Sequence, residues 1–333
     1  MIATRIVTLA VTATVLAAGL AACGDGDDPP GSGDLDKVTY LTSFSTFGRD
    51  AYAYVAQEQG FFEEAGIDVE IRPGSGTVDV LKLVASGQAD FGAGDFTTTA
   101  ITIANEDLPV TVVGAVHQSS LSAIMALESS GIATPADLEG RTIGDQPGST
   151  NQVMFPVYAE AAGIDESRVT FVPGQPPQLP TLLASGQVDA IGQFVVGQGT
   201  IEKAAGEPAV VLPFSDVLPD LYGNALAAND EIVSSDPDLV RRFSEALFRG
   251  LAYSVSHPEE TGQILVSEQP AENAEIAAAE VELMAPAVGP EGQVGTMDRQ
   301  RVQGTIDILV EAGAIEAGLT PDDVVDFELA PAP

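Results

Sequence analysis

The sequence predicts an α/β protein built as two similar α/β lobes. Three observations predict it. The 333 residues are 45% hydrophobic, 6% aromatic and 19% charged, ample for a folded core and unlike a disordered chain. Helical patterns alternate with short strand patterns, which implies mainly parallel sheets covered on both faces. Finally, one segment is repeated about 100 residues later, and a length of this size suits two domains of ~100–200 residues.

The chain opens with one basic residue, Arg5, a charge-free apolar stretch over residues 6–20, then Leu20-Ala21-Ala22-Cys23. A basic start, an apolar run too short to span a bilayer and small residues before the cut describe a secretory signal over residues 1–22. The ending Leu-Ala-Ala-Cys resembles the bacterial lipobox, in which the cysteine sulfur receives a diacylglycerol. Cys23 is the one cysteine of the sequence, so no intrachain disulfide or multi-cysteine metal site is available. Residues 23–36 are rich in Gly, Pro, Ser and Asp and read as a flexible tether. The protein is therefore expected outside the cytoplasm, held at the outer membrane face by lipid. Residues 108–127 carry no formal charge, but Pro109, His117, Gln118 and three serines interrupt them, so they read as two buried strands or crossovers.

In the repeat, Glu64-Ala65-Gly66-Ile67-Asp68 leads through residues 69–72 to Pro73-Gly74, and Ala161-Ala162-Gly163-Ile164-Asp165 leads through residues 168–172 to Pro173-Gly174. Helical patterns follow at residues 78–84 and 179–183. Each ends in nearly the same words, Ala85-Ser86-Gly87-Gln88-Ala89-Asp90 and Ala184-Ser185-Gly186-Gln187-Val188-Asp189, before a strand over residues 91–96 or 190–195. The offset is 97 residues at the first motif and 99 at the second. Gly66, Gly87, Gly163 and Gly186 stand where a left-handed residue ends a helix. Two copies imply two lobes, since a solenoid would repeat a shorter unit more often. Ligands of open α/β sheets bind beyond the carboxyl ends of strands, which singles out Asp95 and Phe96 in one lobe and Gln193 and Phe194 in the other. Facing lobes set these on opposite walls of a cleft that closes by hinge motion.

Asp and Glu number 49 against 13 Lys and Arg, a net charge of −36; removing residues 1–22 takes away only Arg5 and leaves −37. This excludes nucleic acid as a partner, because phosphates are repelled, and excludes adhesion to anionic lipid through protein charge. No nucleophile–base arrangement or metal-ligand spacing is present, so no catalytic residue, metal or cofactor is expected, and the chain is expected to be a monomer.

The stretch from Tyr52 to Glu70, with Ala56-Gln57-Glu58-Gln59-Gly60-Phe61-Phe62 and Gly66-Ile67-Asp68-Val69 at its heart, resembles the start of the NMT1/THI5-like solute-binding proteins of ABC importers. Residues 85–94, Asp137-Leu138-Glu139-Gly140-Arg141-Thr142-Ile143-Gly144 and a late helix from Leu239 to His257-Pro258-Glu259-Glu260 fit the same family. The resemblance implies a bilobed type II periplasmic-binding fold with lobe 1 at 37–120 and 225–333 and lobe 2 at 121–224. It places crossings near residues 119–122 and 223–227. It also implies a small-molecule ligand and a membrane permease as partners, the ligands of the family being nitrate, sulfonates, taurine, thiamine-precursor pyrimidines and riboflavin. Some relatives are enzymes that make the thiamine pyrimidine at an iron site with clustered cysteines. This sequence lacks that cluster, and His117 and His257 sit in no matching motif.

The loop after the first strand offers Ser45, Thr46, Phe47 and Arg49. Arg49 is placed either to hold an anionic ligand group or to pair with Asp50. Gly76 and Thr77 open one helix, and Ser149 and Thr150 another, where amides suit a polar ligand edge or simple capping. Asp95 discriminates most. On the cleft wall it would repel nitrate or sulfonate by several kcal/mol at ~4 Å and accept from an aminopyrimidine or ring N–H; the alternative is a helix N-cap. Phe47, Phe96, Phe194 and Tyr222 are candidate stacking faces for a flat heterocycle. Gln193 and Asn224 read its polar edge or else satisfy backbone.

Overall fold

The computed structural model describes residues 35–331, so the expected signal peptide, Cys23 and nearly all of the tether lie outside the described residues. Among the described residues twelve strands are present: β1 (Asp36–Leu41), β2 (Phe44–Ser45), β3 (Ile67–Arg72), β4 (Gly74–Ser75), β5 (Phe91–Asp95), β6 (Val110–Ala115), β7 (Ser122–Leu127), β8 (Thr142–Asp145), β9 (Thr170–Pro173), β10 (Ala190–Phe194), β11 (Ala209–Pro213) and β12 (Asn224–Asn229). They form two five-stranded sheets, ordered β3-β1-β5-β12-β6 and β11-β7-β10-β8-β9, with β2 and β4 as a separate pair. Read from the other edge, the second order is β9-β8-β10-β7-β11, the same succession as the first.

The repeated words explain that equivalence. Asp90 accepts from the Thr39 amide of β1 at 2.8 Å, and Asp189 accepts from the Thr142 amide of β8 at 2.8 Å. Each aspartate thus ties the central strand of its sheet, which it immediately precedes, to the neighbouring strand, β1 or β8. Gln88 donates to Ser86 at 2.9 Å and Gln187 to Ser185 at 2.8 Å, while Gly87 and Gly186 stop their helices at φ +70° and +67°. The helices before them span Thr77–Ala85 and Leu179–Ala184.

The sheets are mixed: four strands of each run one way, in line with the expectation of mainly parallel sheets, and one strand of each runs against them. β1 runs parallel to β3 and β5, and β8 parallel to β9 and β10, but β12 lies antiparallel between β5 and β6, and β7 antiparallel between β10 and β11. The reason is topological. The strand before each passage has to head toward the other sheet, and the strand after it heads away. Residues 108–127 supply two of these strands, the almost wholly buried β6 and β7, one in each sheet. Among the described residues, no helix is long and apolar enough to cross a membrane.

Aromatic residues fill the first sheet's outer face. Phe243, on the helix Pro237–Ser256, stacks on Phe91 of β5 at 4.1 Å between centroids and on Phe62 at 5.3 Å. Tyr40 and Tyr52 share a buried hydroxyl–hydroxyl bond of 2.8 Å in the same layer. In the second sheet, Tyr158 of the helix Thr150–Ala162 stacks on Phe214 at 4.2 Å. Leu179, Leu183 and Ile201 cover the opposite face against Met125 and Ile191.

The chain leaves the first sheet after Ala115, enters the second at Ser122, and returns between Pro213 and Asn224. The return is complete at Gly223, earlier than expected, because Asn224 already pairs with Asp95 in β5. The two passages are bonded side by side: the Val116 and His117 amides donate to the Asn224 carbonyl at 2.8 and 2.9 Å, and the Gly223 amide to His117 at 3.1 Å. Gly223 is required by that approach, since a Cβ there would lie 2.7 Å from the Ser119 carbonyl oxygen and 2.8 Å from the His117 Cβ.

Candidate functional site

The carboxyl ends of the parallel strands of the two sheets face each other. Thr77 and Thr150, each the first residue of a helix that follows such an end, bring their hydroxyls within 3.4 Å across the boundary. Arg49, from the loop after β1 and β2, sets its guanidinium carbon 4.0 Å from the ring centroid of Phe194 at the end of β10. The same guanidinium lies 5.7 Å from Phe47.

The loop that carries Arg49 is fastened from several sides. Ser45 pairs through its backbone with Gly74, and Thr46 is buried. Ser43 donates to Asp50 Oδ1 from its hydroxyl at 2.9 Å, and Arg49 Nε donates to Oδ2 at 3.2 Å. Arg49 and Asp50 are 2% and 1% exposed, so this is a fully desolvated ion pair, the second of the two roles expected for Arg49. Burial pushes the Asp50 carboxyl above its ordinary range, while the guanidinium and Ser43 work against that push. The Gly48 amide donates to Glu280 Oε2 at 2.6 Å, from a backbone so close to the helix Ala274–Val288 that a Cβ at Gly48 would sit 2.2 Å from the Ala277 carbonyl oxygen. Burial raises Glu280 to about 7, against the Gly48 amide and Arg49.

Asp95 caps the helix Phe96–Glu106 by accepting from the Thr98 amide at 2.8 Å, the alternative reading of this residue. Its own amide donates to Thr77 Oγ1 at 3.0 Å, and burial raises its carboxyl to about 6. Gly76 precedes Thr77 at φ +113° and makes the turn into that helix. Opposite, Asp145 accepts from the Gln146 amide and from Ser149 Oγ, both at 2.7 Å, and burial raises it to about 6. Ser149 in turn caps its helix through the Gln152 amide at 3.0 Å. A Cβ at Gly192 would lie 2.1 Å from Asp145 Oδ2, so glycine in β10 makes room for this carboxylate.

The stacking candidates divide. Phe47 and Phe194 stand at the boundary, both partly exposed. Phe96 and Tyr222 do not, which corrects the expectation: they meet edge to face at 5.5 Å in the core, Arg301 covers the Tyr222 ring at 3.8 Å, and the Tyr222 hydroxyl accepts from the Asp298 amide at 2.8 Å. Gln193 satisfies backbone, its Oε1 accepting from the Phe194 amide at 2.9 Å. Asn224 serves through its main chain at the paired passages.

Three residues here were not singled out from the sequence. Asn151 donates to the Gln193 carbonyl at 3.1 Å, and its Oδ1 is buried without a hydrogen-bond partner. His117 Nδ1 accepts from the Asn224 amide at 3.3 Å, and its Nε2 is likewise buried without one. Burial and the nearby Arg49 lower the imidazole to about 3, so it is neutral. Glu280 is the third, and its signal was present: it falls on the apolar stripe Ala277, Val281, Met284 of its helix, where a carboxylate needs a tertiary reason. Among the described residues, no group of three or more His, Cys, Asp or Glu is arranged to hold a metal ion.

Known proteins share this fold. The profile of the family described as NMT1/THI5 like matches residues 50–261. A formylaminopyrimidine-binding protein of Halalkalibacterium halodurans is 27% identical over 237 residues, 71% of each chain. A 4-amino-5-hydroxymethyl-2-methylpyrimidine phosphate synthase of Legionella pneumophila is 28% identical over 247 residues, 70% of this chain and 74% of the other. The alkanesulfonate-binding protein SsuA of Xanthomonas axonopodis pv. citri, solved with MOPS bound, superposes with a TM-score of 0.71 at 15% identity, covering 88% of this chain and 99% of that one. With the family profile spanning most of the chain and the two mixed sheets matching solved periplasmic binding proteins, this protein belongs to the NMT1/THI5-like family of solute-binding proteins and has the type II periplasmic-binding fold.

Proposed function

We propose that the protein is the extracytoplasmic solute receptor of an ABC importer, capturing a small neutral heterocycle between its two sheets and passing it to a membrane permease. The observation that carries the ligand class is the pairing of Arg49 with Asp50, both buried. The guanidinium charge is met within the protein and its face is covered by Phe194. Glu280 is close enough to feel the charges of Arg49 and Asp50, and Asp95 and Asp145 add further carboxyl groups at the ends of β5 and β8, so an anion entering here meets an unfavourable field. Phe47 and Phe194 suit a flat ring, and buried polar atoms suit its edge. The name of the Halalkalibacterium relative supports an aminopyrimidine. Residues 37–120 with 225–333 act as one lobe and residues 121–224 as the other, moving about the paired passages, and the receptor works as a monomer without catalysis. A sulfonate is the second reading, favoured by the position of Arg49 at the boundary.

Thermal unfolding with formylaminopyrimidine, riboflavin, taurine and nitrate tests this. A ligand at about 100 times its dissociation constant adds ~2.7 kcal/mol of stability. Formylaminopyrimidine or riboflavin is expected to raise the midpoint with no product formed; a rise with taurine or nitrate alone replaces the heterocycle with an anion, and turnover makes the chain an enzyme.

The lipobox-like Leu20-Ala21-Ala22-Cys23 supports export and anchoring through a lipid on Cys23. Cys23→Ser is then expected to move the protein expressed in a bacterial host from the membrane fraction to the soluble extracytoplasmic fraction. Unchanged fractionation would remove the anchor from the proposal.

A further inference from the structure

We infer that His117 and Asn151 form a donor–acceptor pair that reads the polar edge of the bound solute, an inference that rests on the receptor reading above. The two atoms concerned are His117 Nε2 and Asn151 Oδ1, both buried and both without a hydrogen-bond partner. Buried polar groups are nearly always hydrogen-bonded, and of the six described side-chain atoms without a partner these two flank the Arg49–Phe194 contact, His117 beside Arg49 and Asn151 bonded to Gln193, which calls for an explanation.

The roles of both atoms are fixed by what their neighbours do. His117 Nδ1 accepts from the Asn224 amide, which puts the proton of a neutral ring on Nε2 and makes that atom a donor. Asn151 Nδ2 donates to the Gln193 carbonyl, which cannot donate in return, so the amide cannot flip and Oδ1 is an acceptor. His117 extends from the end of β6 in the first sheet, on the passage beside Asn224, close enough to Arg49 for the guanidinium to hold its protonated form down. Asn151 stands on the second sheet's side, in the first turn of the helix Thr150–Ala162, against the strand that ends in Phe194. Arg49 on Phe194 links the two sides. One N–H from one wall and one oxygen from the other match a solute with an acceptor atom and an N–H donor, as an aminoheterocycle or a carboxamide has. A sulfonate or nitrate would satisfy His117 and leave Asn151 unmet.

His117→Asn separates this role from support of the passages, because the asparagine oxygen stands near the place of Nδ1 and can accept from the Asn224 amide while the Nε2–H is gone. Titration calorimetry with formylaminopyrimidine is expected to show about ten- to hundred-fold weaker binding for His117→Asn and for Asn151→Ala. In the wild type with 15N-labelled histidine, saturating formylaminopyrimidine is expected to shift the Nε2 and Hε2 resonances of His117. The one other histidine, His257, is exposed and serves as an internal control. Purely structural roles would leave those resonances in place. Unshifted His117 signals with formylaminopyrimidine bound, or unchanged affinity in both variants, would overturn the inference while sparing the receptor reading. A wild type that binds none of formylaminopyrimidine, riboflavin, taurine and nitrate would overturn both.

Discussion

Arg49→Met is expected to lower the unfolding free energy by about 3–5 kcal/mol, the range for breaking a buried ion pair by removing one partner. The magnitude follows from what remains. Asp50 is 1% exposed, and without the guanidinium its charge keeps only the Ser43 donors, at 2.9 Å from the hydroxyl and 3.3 Å from the amide. Burial already pushes this carboxyl upward with Arg49 present, so without Arg49 it is neutral in the folded state over a wider pH range. The contact with Phe194 at 4.0 Å goes as well, worth up to ~2 kcal/mol when desolvated. Asp50→Asn added to Arg49→Met removes the stranded charge while keeping an oxygen for Ser43, so the double variant R49M/D50N is expected to regain most of the loss. Urea unfolding of the two single variants and the double variant measures the coupling directly. A loss below 1 kcal/mol in R49M, or no recovery in the double variant, would show that the pair is not the fastening of this loop. The same measurement bears on the ligand: a receptor that used Arg49 to hold an anion would need the charge to be available, and a strong coupling to Asp50 means that it is not.

Much of the fold was legible because its signals are local. The words around Gln88 and Gln187 encode a helix stop and a strand anchor within six residues, and Asp90 and Asp189 perform the same bond in both sheets. The antiparallel strands β7 and β12 were not legible, because strand direction is set by which sheet the chain has just left and no residue in either strand records that. The site was legible only where chemistry and position coincide along the chain. Arg49 beside Asp50 and Asp95 before three threonines each carried two readings, and in both the local partner holds the side chain. Tyr222 looked like an open ring because Arg301 and Asp298, nearly eighty residues on, are what cover it. Glu280 reaches Gly48 across 232 residues, and His117 owes its tautomer to an amide 107 residues away. Contacts of that span are decided by packing, and an aliphatic helix with one acid on its buried stripe was the one hint the sequence held.

That acid governs the other large effect. Glu280 has an ordinary value of 4.5 and stands at about 7 in the folded protein, raised first of all by burial. Between those values the unfolded chain gives up the proton and the folded chain keeps it, so stability falls as pH rises through this window and levels off above it. A rise of this size corresponds to about 3 kcal/mol between pH 5 and pH 8, since each unit is 1.36 kcal/mol. Asp95 and Asp145, raised from 3.8 to about 6, slope the same way at lower pH. The net charge of −36 adds repulsion of the same sign, so the wild-type profile alone does not isolate Glu280. Glu280→Gln does. Its amide oxygen can still accept from the Gly48 amide, and it has no proton to lose. At pH 5 the variant is expected to unfold at nearly the wild-type urea concentration; at pH 8 it is expected to be more stable by about 2–3 kcal/mol. A difference between the two proteins that stays the same at both pH values would mean that Glu280 is ionised throughout. The Gly48 amide and Arg49 would then outweigh burial, and the helix Ala274–Val288 would hold the Arg49 loop by charge.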